Sequence, residues 1–339
     1  MNNKIIDLFC GCGGLSKGFE MAGFEPVLAI DFWKDAIDTY NFNHKKNVGI
    51  CEDVSKLDET ILKKIMDKNK IVGIIGGPPC QGYSTVGKRS VTDERNYLYL
   101  QYCRIVETIK PEFFVLENVK GLLTLNKGKF KEDIISRFSK LGYDVEYKLL
   151  NAADYGVPQN RNRVFFVGIK NKKFVFPVIN QKKISTYEAI SDLSEYETKY
   201  SKEPQSLYQK KMRKSNAKLY NNEFTEHTEQ TRNIIDMIPD GGKITDLPKE
   251  YWEVRKYNKA FQRMSSISQS NTIDTGHRNY FHYKENRIPT VRESARIQSF
   301  SDDFIFKGSK TSQYKQVGNA VPPLMAYAIA KAIKSQIGG

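Results

Sequence analysis

Short apolar runs recur through the first half of the chain: KIIDLF, PVLAID, IVGIIGG and FFVLENV, then YDVEYKLL and RVFFVGI. Each has the length of one buried strand. Between them lie GLSKGFEMAG, FWKDAIDTYNFNH, ETILKKIMDKN, YLYLQYCRIVETIK and FKEDIISRFSKLG, whose apolar positions recur at helical spacing. That spacing gathers the apolar side chains on one helix face. Gly23, Pro111 and Gly142 supply helix stops. Strand and helix therefore alternate, which predicts the α/β class: a doubly wound, mostly parallel sheet with helices on both faces.

After about Ile169 the alternation fails. KNKKFVFPVINQKKIS is basic and irregular, and YSKEPQSLYQKKMRKSNAKLYNNEF interleaves Lys, Arg and Tyr. The periodicity returns in PPLMAYAIAKAIKSQ, an amphipathic helix opened by Pro322 and Pro323, where a missing N–H costs little. The expected division is a first domain over residues 1–185, completed by the C-terminal helix at 310–339, and a smaller, irregular domain over 186–309.

The first strand ends as DLFCGCGG, with glycines at 11, 13 and 14 between strand and helix. In open α/β sheets ligands bind beyond the carboxyl ends of the strands, and glycines let backbone approach them. The dinucleotide pattern G-x-G-x-x-G fails because position 16 is Ser, which counts against a nicotinamide enzyme. Asp31 closes the next strand, where an acid commonly accepts from a ribose hydroxyl pair. Phe32 is placed to lie on an adenine face and Asp53 to accept from its amino group. Together these describe an adenosine-containing cofactor across three strand ends.

The fourth strand runs into GGPPCQGYS. Pro78 and Pro79 stiffen the turn before Cys80. A lone cysteine is more often inert packing, but Glu117 ends the neighbouring strand. A carboxyl beside a thiol suits acid catalysis on an electrophile that the thiol attacks. In QNRNR, Gln159, Arg161 and Arg163 alternate before a strand, so both arginines are expected on one face. Residues 81–97 read as a loop that faces a ligand and closes over the site.

Five cysteines without framework spacing argue against a disulfide scaffold. Cys10 and Cys12 have no second pair, and His277 and His282 no upstream C-x-x-C, so no metal is expected. No apolar stretch approaches the roughly 18–20 residues of a membrane span. MNNKIIDLF leads straight into a strand and reads as no targeting segment, so a cytoplasmic protein is expected. The net charge of +14 points to a polyanionic partner such as DNA or RNA.

The ordered set DLFCGCGG, GGPPCQGYS, ENV, QNRNR, RIPTVRESARIQSFSDDFIF and QVGNAVPP resembles the DNA (cytosine-5-)-methyltransferases of bacterial restriction-modification systems. The unmatched part is roughly residues 171–287. The resemblance implies the Rossmann-like fold of class I methyltransferases, S-adenosylmethionine as methyl donor with S-adenosylhomocysteine as product, and base flipping in duplex DNA. It implies Cys80 as the nucleophile at cytosine C6, Glu117 as the group at N3, Arg163 as a holder of the base and Arg161 as its support. Cofactor positions map onto Asp7, Phe9, Gly11, Gly13, Gly14, Asp31, Phe32, Asp53, Pro79, Leu98 and Asn319. Family members often carry Glu at Asp31, Trp at Phe32, Ala or Ser at Cys10 and Phe or Trp at Tyr83; none of these departures removes a chemical role.

The resemblance further makes the variable segment a target-recognition domain facing the catalytic one across a DNA cleft. Lys210, Lys211, Arg213 and Lys214 are natural phosphate contacts there. Arg255, Lys256, Arg263 and Gln269 are base-reading candidates. On the catalytic side the expected DNA contacts are Gln81, Ser84, Lys88, Arg89 and Arg95. The expected partners are double-stranded DNA and a companion restriction endonuclease, with the protein acting as a monomer. A tRNA-methylating branch is disfavoured by the missing Cys-Phe-Thr motif, and a catalytically silent DNA-binding scaffold by the intact Cys80, Glu117 and Arg163.

Overall fold

The computed structural model describes residues 3–79, 95–179, 182–213, 218–252, 261–276 and 279–338, with the backbone alone for 95–97. By its contacts the chain divides into two compact units. The first holds residues 1–151, 162–179 and 323–339; the second holds 152–161 and 180–322.

The first unit is built on a seven-stranded sheet. Its strands are β1 (Lys4–Leu8), β2 (Glu25–Asp31), β3 (Gly49–Cys51), β4 (Ile71–Gly76), β5 (Phe113–Val119), β6 (Tyr143–Asn151) and β7 (Asn162–Lys170), in the order β3-β2-β1-β4-β5-β7-β6. The strands β1 to β5 pair in parallel, while β7 runs antiparallel to both β5 and β6. All six residues of β4 are buried, which is why the central strands read as unbroken apolar runs.

The connecting helices are α1 (Gly14–Met21), α2 (Lys34–Asn43), α3 (Glu59–Lys68), α4 (Arg95–Ile109) and α5 (Lys129–Ser139). Asp58 caps α3 by accepting from the Ile61 N–H at 2.8 Å. One core packs Ile6, Leu8, Leu28, Ile30 and Ile74 against Tyr102, Ile105 and Val106 of α4 and Phe138 of α5.

The second unit contains α6 (Thr186–Ile190), α7 (Leu207–Met212), α8 (Glu229–Met237), the two-residue strands β8 (Gln262–Arg263) and β9 (Tyr280–Phe281), α9 (Val291–Ile297) and α10 (Lys310–Asn319). Every residue of α9 is buried, including Arg292, Glu293 and Arg296. Arg296 bridges Asp192 at 2.6 Å and Asp302 at 2.5 Å, and Arg287 holds Glu293 through two bonds of 2.8 Å. Such pairs tolerate burial only when their hydrogen bonds are satisfied.

The last helix, α11 (Pro323–Ile337), returns to the first unit. It lies against α1, where a Cβ on Gly18 would stand 2.4 Å from that of Ala326. The expected C-terminal completion at 310–339 is therefore two helices: α11 joins the first unit, whereas α10 clusters with the second. Residues 152–161, placed by the sequence in the first domain, also cluster with the second unit. They form the excursion between β6 and β7, so proximity along the chain did not fix their packing.

Candidate active site

Parallel strands β1, β2 and β4 deliver their carboxyl ends to one rim of the first unit, and the glycine turn follows β1 there. Phe9, Gly11 and Gly13 have φ of 58°, 53° and 91°. The N–H groups of the turn are bonded within the protein, that of Cys10 to the Ile30 carbonyl at 3.1 Å and that of Gly13 to the Cys10 carbonyl at 2.9 Å, while a Cβ on Gly11 would meet open space. The turn is tied to β2, because Gly11 donates its N–H to Asp31 Oδ2 at 2.9 Å. Asp31 Oδ1 accepts from the Trp33 N–H, also at 2.9 Å. Burial raises the Asp31 carboxyl above its usual range, and the bonds from Trp33 and Gly11 oppose that. Phe32 leaves 75% of its surface exposed, an open aromatic face beside this carboxylate.

Asp53 lies on the exposed side of the same rim and accepts from the Ser55 N–H at 2.8 Å. Leu98 and Pro79 are half-buried. Asn319 is exposed at the end of α10, in the second unit. Asp7 departs from a direct ligand role: its side chain is buried, and its Oδ2 accepts from the Ser16 hydroxyl at 2.6 Å. It sits behind the turn rather than on its open side.

At the ends of β5 and β7, Arg163 Nε lies 2.9 Å from Glu117 Oε1. Glu117 pairs with Phe165 in the ladder, and Arg163 is two residues away on the same strand face. Their side chains are 12% and 16% exposed, so the ion pair is largely withdrawn from water yet reachable. A Cβ on Gly77 would stand 2.8 Å from Glu117 Oε2. Glycine is therefore the residue that leaves room for this carboxylate. Asn118 donates from Nδ2 to the Pro78 carbonyl at 2.9 Å, pinning the Pro78–Pro79 turn to β5. Sequence reasoning gave no role to Asn118 or Gly77. The only signal was their adjacency to Glu117 and to the Pro-Pro pair.

Arg161 and Arg163, expected on one face by their alternation, have different partners: Arg163 meets Glu117, and Arg161 meets backbone carbonyls. Arg161 is 1% exposed and donates to the carbonyls of Ile273 at 3.0 Å and Gly318 at 2.7 Å. Arg161 thus braces the segment leading to Asn319 and offers no nitrogen of those two bonds to a ligand.

Arg263, expected among the base readers, is also withdrawn. Its guanidinium is buried and bonds the carbonyls of Ile235 and Lys284 and the Asn286 side chain. A guanidinium engaged this way has no free fork for a base edge. Arg213 stacks over the Tyr200 ring at 3.7 Å and bonds the Lys202 carbonyl. Lys210 and Lys211 are exposed on α7, and Gln269 bonds the Ile184 carbonyl at 3.4 Å. Cys80, Gln81, Ser84, Lys88, Arg89, Lys214, Arg255 and Lys256 lie outside the described residues, as does the side chain of Arg95.

Burial pushes the Cys10 thiol well up and the Cys12 and Cys103 thiols up to about 12. All three are held as neutral thiols at physiological pH, which suits packing and not nucleophilic attack. Among the described residues no group of three or more His, Cys, Asp or Glu is arranged to hold a metal ion. No described helix is long and apolar enough to cross a membrane.

The family model for C-5 cytosine-specific DNA methylases matches residues 3–335. The Type II methyltransferase M1.HphI of Haemophilus parahaemolyticus is 38% identical over 337 residues, covering 98% of this chain and 87% of the relative. The Type II methyltransferase M.DdeI of Desulfomicrobium norvegicum is 40% identical over 369 residues, covering 97% and 88%. A solved structure described as a DNA modification methyltransferase encoded within an E. coli prophage superposes with a TM-score of 0.83 at 27% identity, covering 99% of both chains.

Proposed function

This chain belongs to the C-5 cytosine-specific DNA methylases, and on that premise we propose that it methylates C5 of a cytosine within a specific double-stranded DNA sequence, using S-adenosylmethionine and a covalent adduct through Cys80. The observation that carries the reading is the Glu117–Arg163 pair, set against the Pro78–Pro79 turn that leads into Cys80.

The residues on the rim fit an adenosine-containing cofactor. The Phe9–Gly13 turn leaves open space beside Gly11 for a ligand to approach the backbone, and Asp31 supplies a carboxylate for a ribose, Phe32 an open ring for adenine, and Asp53 an exposed carboxylate beyond it. Gly14, Pro79 and Leu98 complete the set on this unit, with Asp7 acting from behind; Asn319 is a proposed cofactor residue from the family resemblance alone. When bound, S-adenosylmethionine supplies the electrophilic methyl group.

The chain's own groups act on the flipped cytosine. Arg163 holds the base and keeps Glu117 oriented. Glu117 hydrogen-bonds and protonates N3, which makes C6 electrophilic. The Cys80 thiolate adds to C6, and the electron density released to C5 makes that carbon the nucleophile. After methylation a base removes the C5 proton, the C6–S bond breaks, and Cys80 leaves as thiolate. Arg161 is a positioning residue in this scheme.

DNA binding is assigned to Gln81, Ser84, Lys88, Arg89 and Arg95, and to Arg255 with the exposed lysines of α7. The second unit is the proposed target-recognition region. In the same reading a restriction endonuclease of matching specificity is its companion, which the likeness to Type II methyltransferases supports. It would act as a monomer in the bacterial cytoplasm, where the DNA is. The test is expression in a host without cytosine methylation, followed by conversion sequencing. One methylated sequence context is the expected result; unmethylated DNA in the presence of soluble, folded protein would refute the proposal.

A further inference from the structure

Behind the glycine turn lies a chain of polar side chains that the reaction scheme does not use. Tyr40 of α2 lies 2.9 Å from Ser16 through its hydroxyl, and Ser16 of α1 donates to Asp7 Oδ2 of β1 at 2.6 Å. The three side chains are fully or almost fully buried. The Tyr40 ring stacks on His44 with centroids 3.9 Å apart and planes 13° from parallel. His44 Nδ1 in turn lies 3.0 Å from Glu20 Oε1 on α1. A Cβ built on Gly13 would stand 2.2 Å from His44 Nε2 and 2.7 Å from the Tyr40 ring. The ring pair is therefore the floor on which the turn rests.

Buried hydrogen-bonded side chains are costly unless satisfied, and a chain of them fixes the elements it joins. Here it joins β1, α1 and α2, the three elements whose ends surround the turn. Asp7 Oδ1 has no hydrogen-bond partner among the described residues, so the Ser16 bond is what satisfies this carboxyl.

We propose that Asp7, Ser16, Tyr40 and His44 form a positioning network that sets the conformation of the Phe9–Gly13 turn and so the affinity for the cofactor, without acting on the reacting base. The inference rests on the reading that the cofactor binds at this turn. It adds three residues to the cofactor site and moves Asp7 from a contact to a support. Its action is on ligand binding because the network touches the turn from behind and lies on strands other than those carrying Glu117 and Arg163.

The test compares Tyr40→Phe, Ser16→Ala and Ser16→Thr with the unmodified protein in S-adenosylmethionine titrations and in steady-state methylation of a duplex carrying the target sequence. Tyr40→Phe keeps the stacked floor and deletes one hydroxyl. The expected result is a KM and Kd for S-adenosylmethionine raised roughly three- to ten-fold, the scale of one lost hydrogen bond, with kcat and the KM for DNA within about two-fold, a difference worth less than half a kcal/mol. Ser16→Ala should behave alike, and Ser16→Thr should restore affinity by keeping the hydroxyl. Unchanged cofactor affinity in both Tyr40→Phe and Ser16→Ala overturns the network's role, as does a fall in kcat alone. Asp31→Ala is the control for the underlying reading: if it binds S-adenosylmethionine as the unmodified protein does, the cofactor is not at this turn.

Discussion

Arg163 Nε and Glu117 Oε1 stand 2.9 Å apart on adjacent antiparallel strands, largely shielded from water. In the proposed reaction a flipped cytosine would compete with the guanidinium for the same carboxyl. Glu117→Gln keeps the shape and loses the proton. Its kcat should fall by about 10²–10⁴, the usual range for a positioned general acid, with cofactor binding unchanged. Single-turnover methylation with S-adenosylmethionine saturating measures this, and a loss below ten-fold argues against the role.

The nucleophile can be trapped. Duplex DNA carrying 5-fluorocytosine at the target should form a stable adduct with the unmodified protein and none with Cys80→Ala, because fluorine cannot leave as a proton does. Adduct formation by the alanine variant, read on a denaturing gel, would assign the nucleophile elsewhere. Asn118→Ala should slow adduct formation at a preserved cofactor Kd, since it frees the Pro78 carbonyl and loosens the turn.

The two units should respond to pH in opposite directions. In the second, burial holds His282 down to about 4, and its Nδ1 accepts from the N–H groups of Lys284 and Glu285. Burial would raise Glu293, but Arg287 and His282 outweigh it and hold it down to about 2. Both folded values lie below the unfolded ones of 6.5 and 4.5. The unfolded chain therefore takes up protons first, and stability present above pH 6.5 is lost as pH falls through 4 and then 2. Asp7 has the other sign: burial raises it to about 7 from 3.8, so its contribution is fully present below 3.8 and lost as pH rises through 7. Thermal melts across pH should show His282→Asn flattening the acid limb and Asp7→Asn the neutral one. Each effect amounts to about 1.4 kcal/mol per pH unit between the two values.

Basic residues should separate into two classes. Lys88→Ala and Arg89→Ala should weaken DNA binding and reduce the slope of log K against log salt by about one each. Arg263→Ala should instead destabilise the second unit by about 1–3 kcal/mol, because it leaves the Lys284 and Ile235 carbonyls without their donor. Denaturant unfolding and filter binding distinguish the two outcomes. A salt slope lowered by Arg263→Ala in a fully stable protein would return it to the DNA surface.

The first half of the chain was legible because its core is uniform. Central strands buried on both faces read as apolar runs, and amphipathic helices read by their period, so β1, β2, β4 to β7 and α1 to α5 coincide with the patterns that predict them, whereas the short, largely exposed β3 had no such run. The second unit hid its interior for the opposite reason. Its α9 is wholly buried yet carries Arg292, Glu293 and Arg296, so a pattern based on apolar positions sees a surface helix. Charge there is satisfied by partners distant in sequence, such as Asp192 for Arg296.

The sequence by itself determined the α/β class, the strand ends that carry chemistry and the order of the motifs, since these depend on local period and on residue type. Only the tertiary structure decided what each polar group faces. It set Arg163 against Glu117, withdrew Arg161 and Arg263 onto backbone carbonyls, and turned Asp7 from the open side of the turn to Ser16 behind it. The physical reason is that a charged side chain takes whichever satisfied environment the packing offers, and that choice is made between residues far apart in the chain.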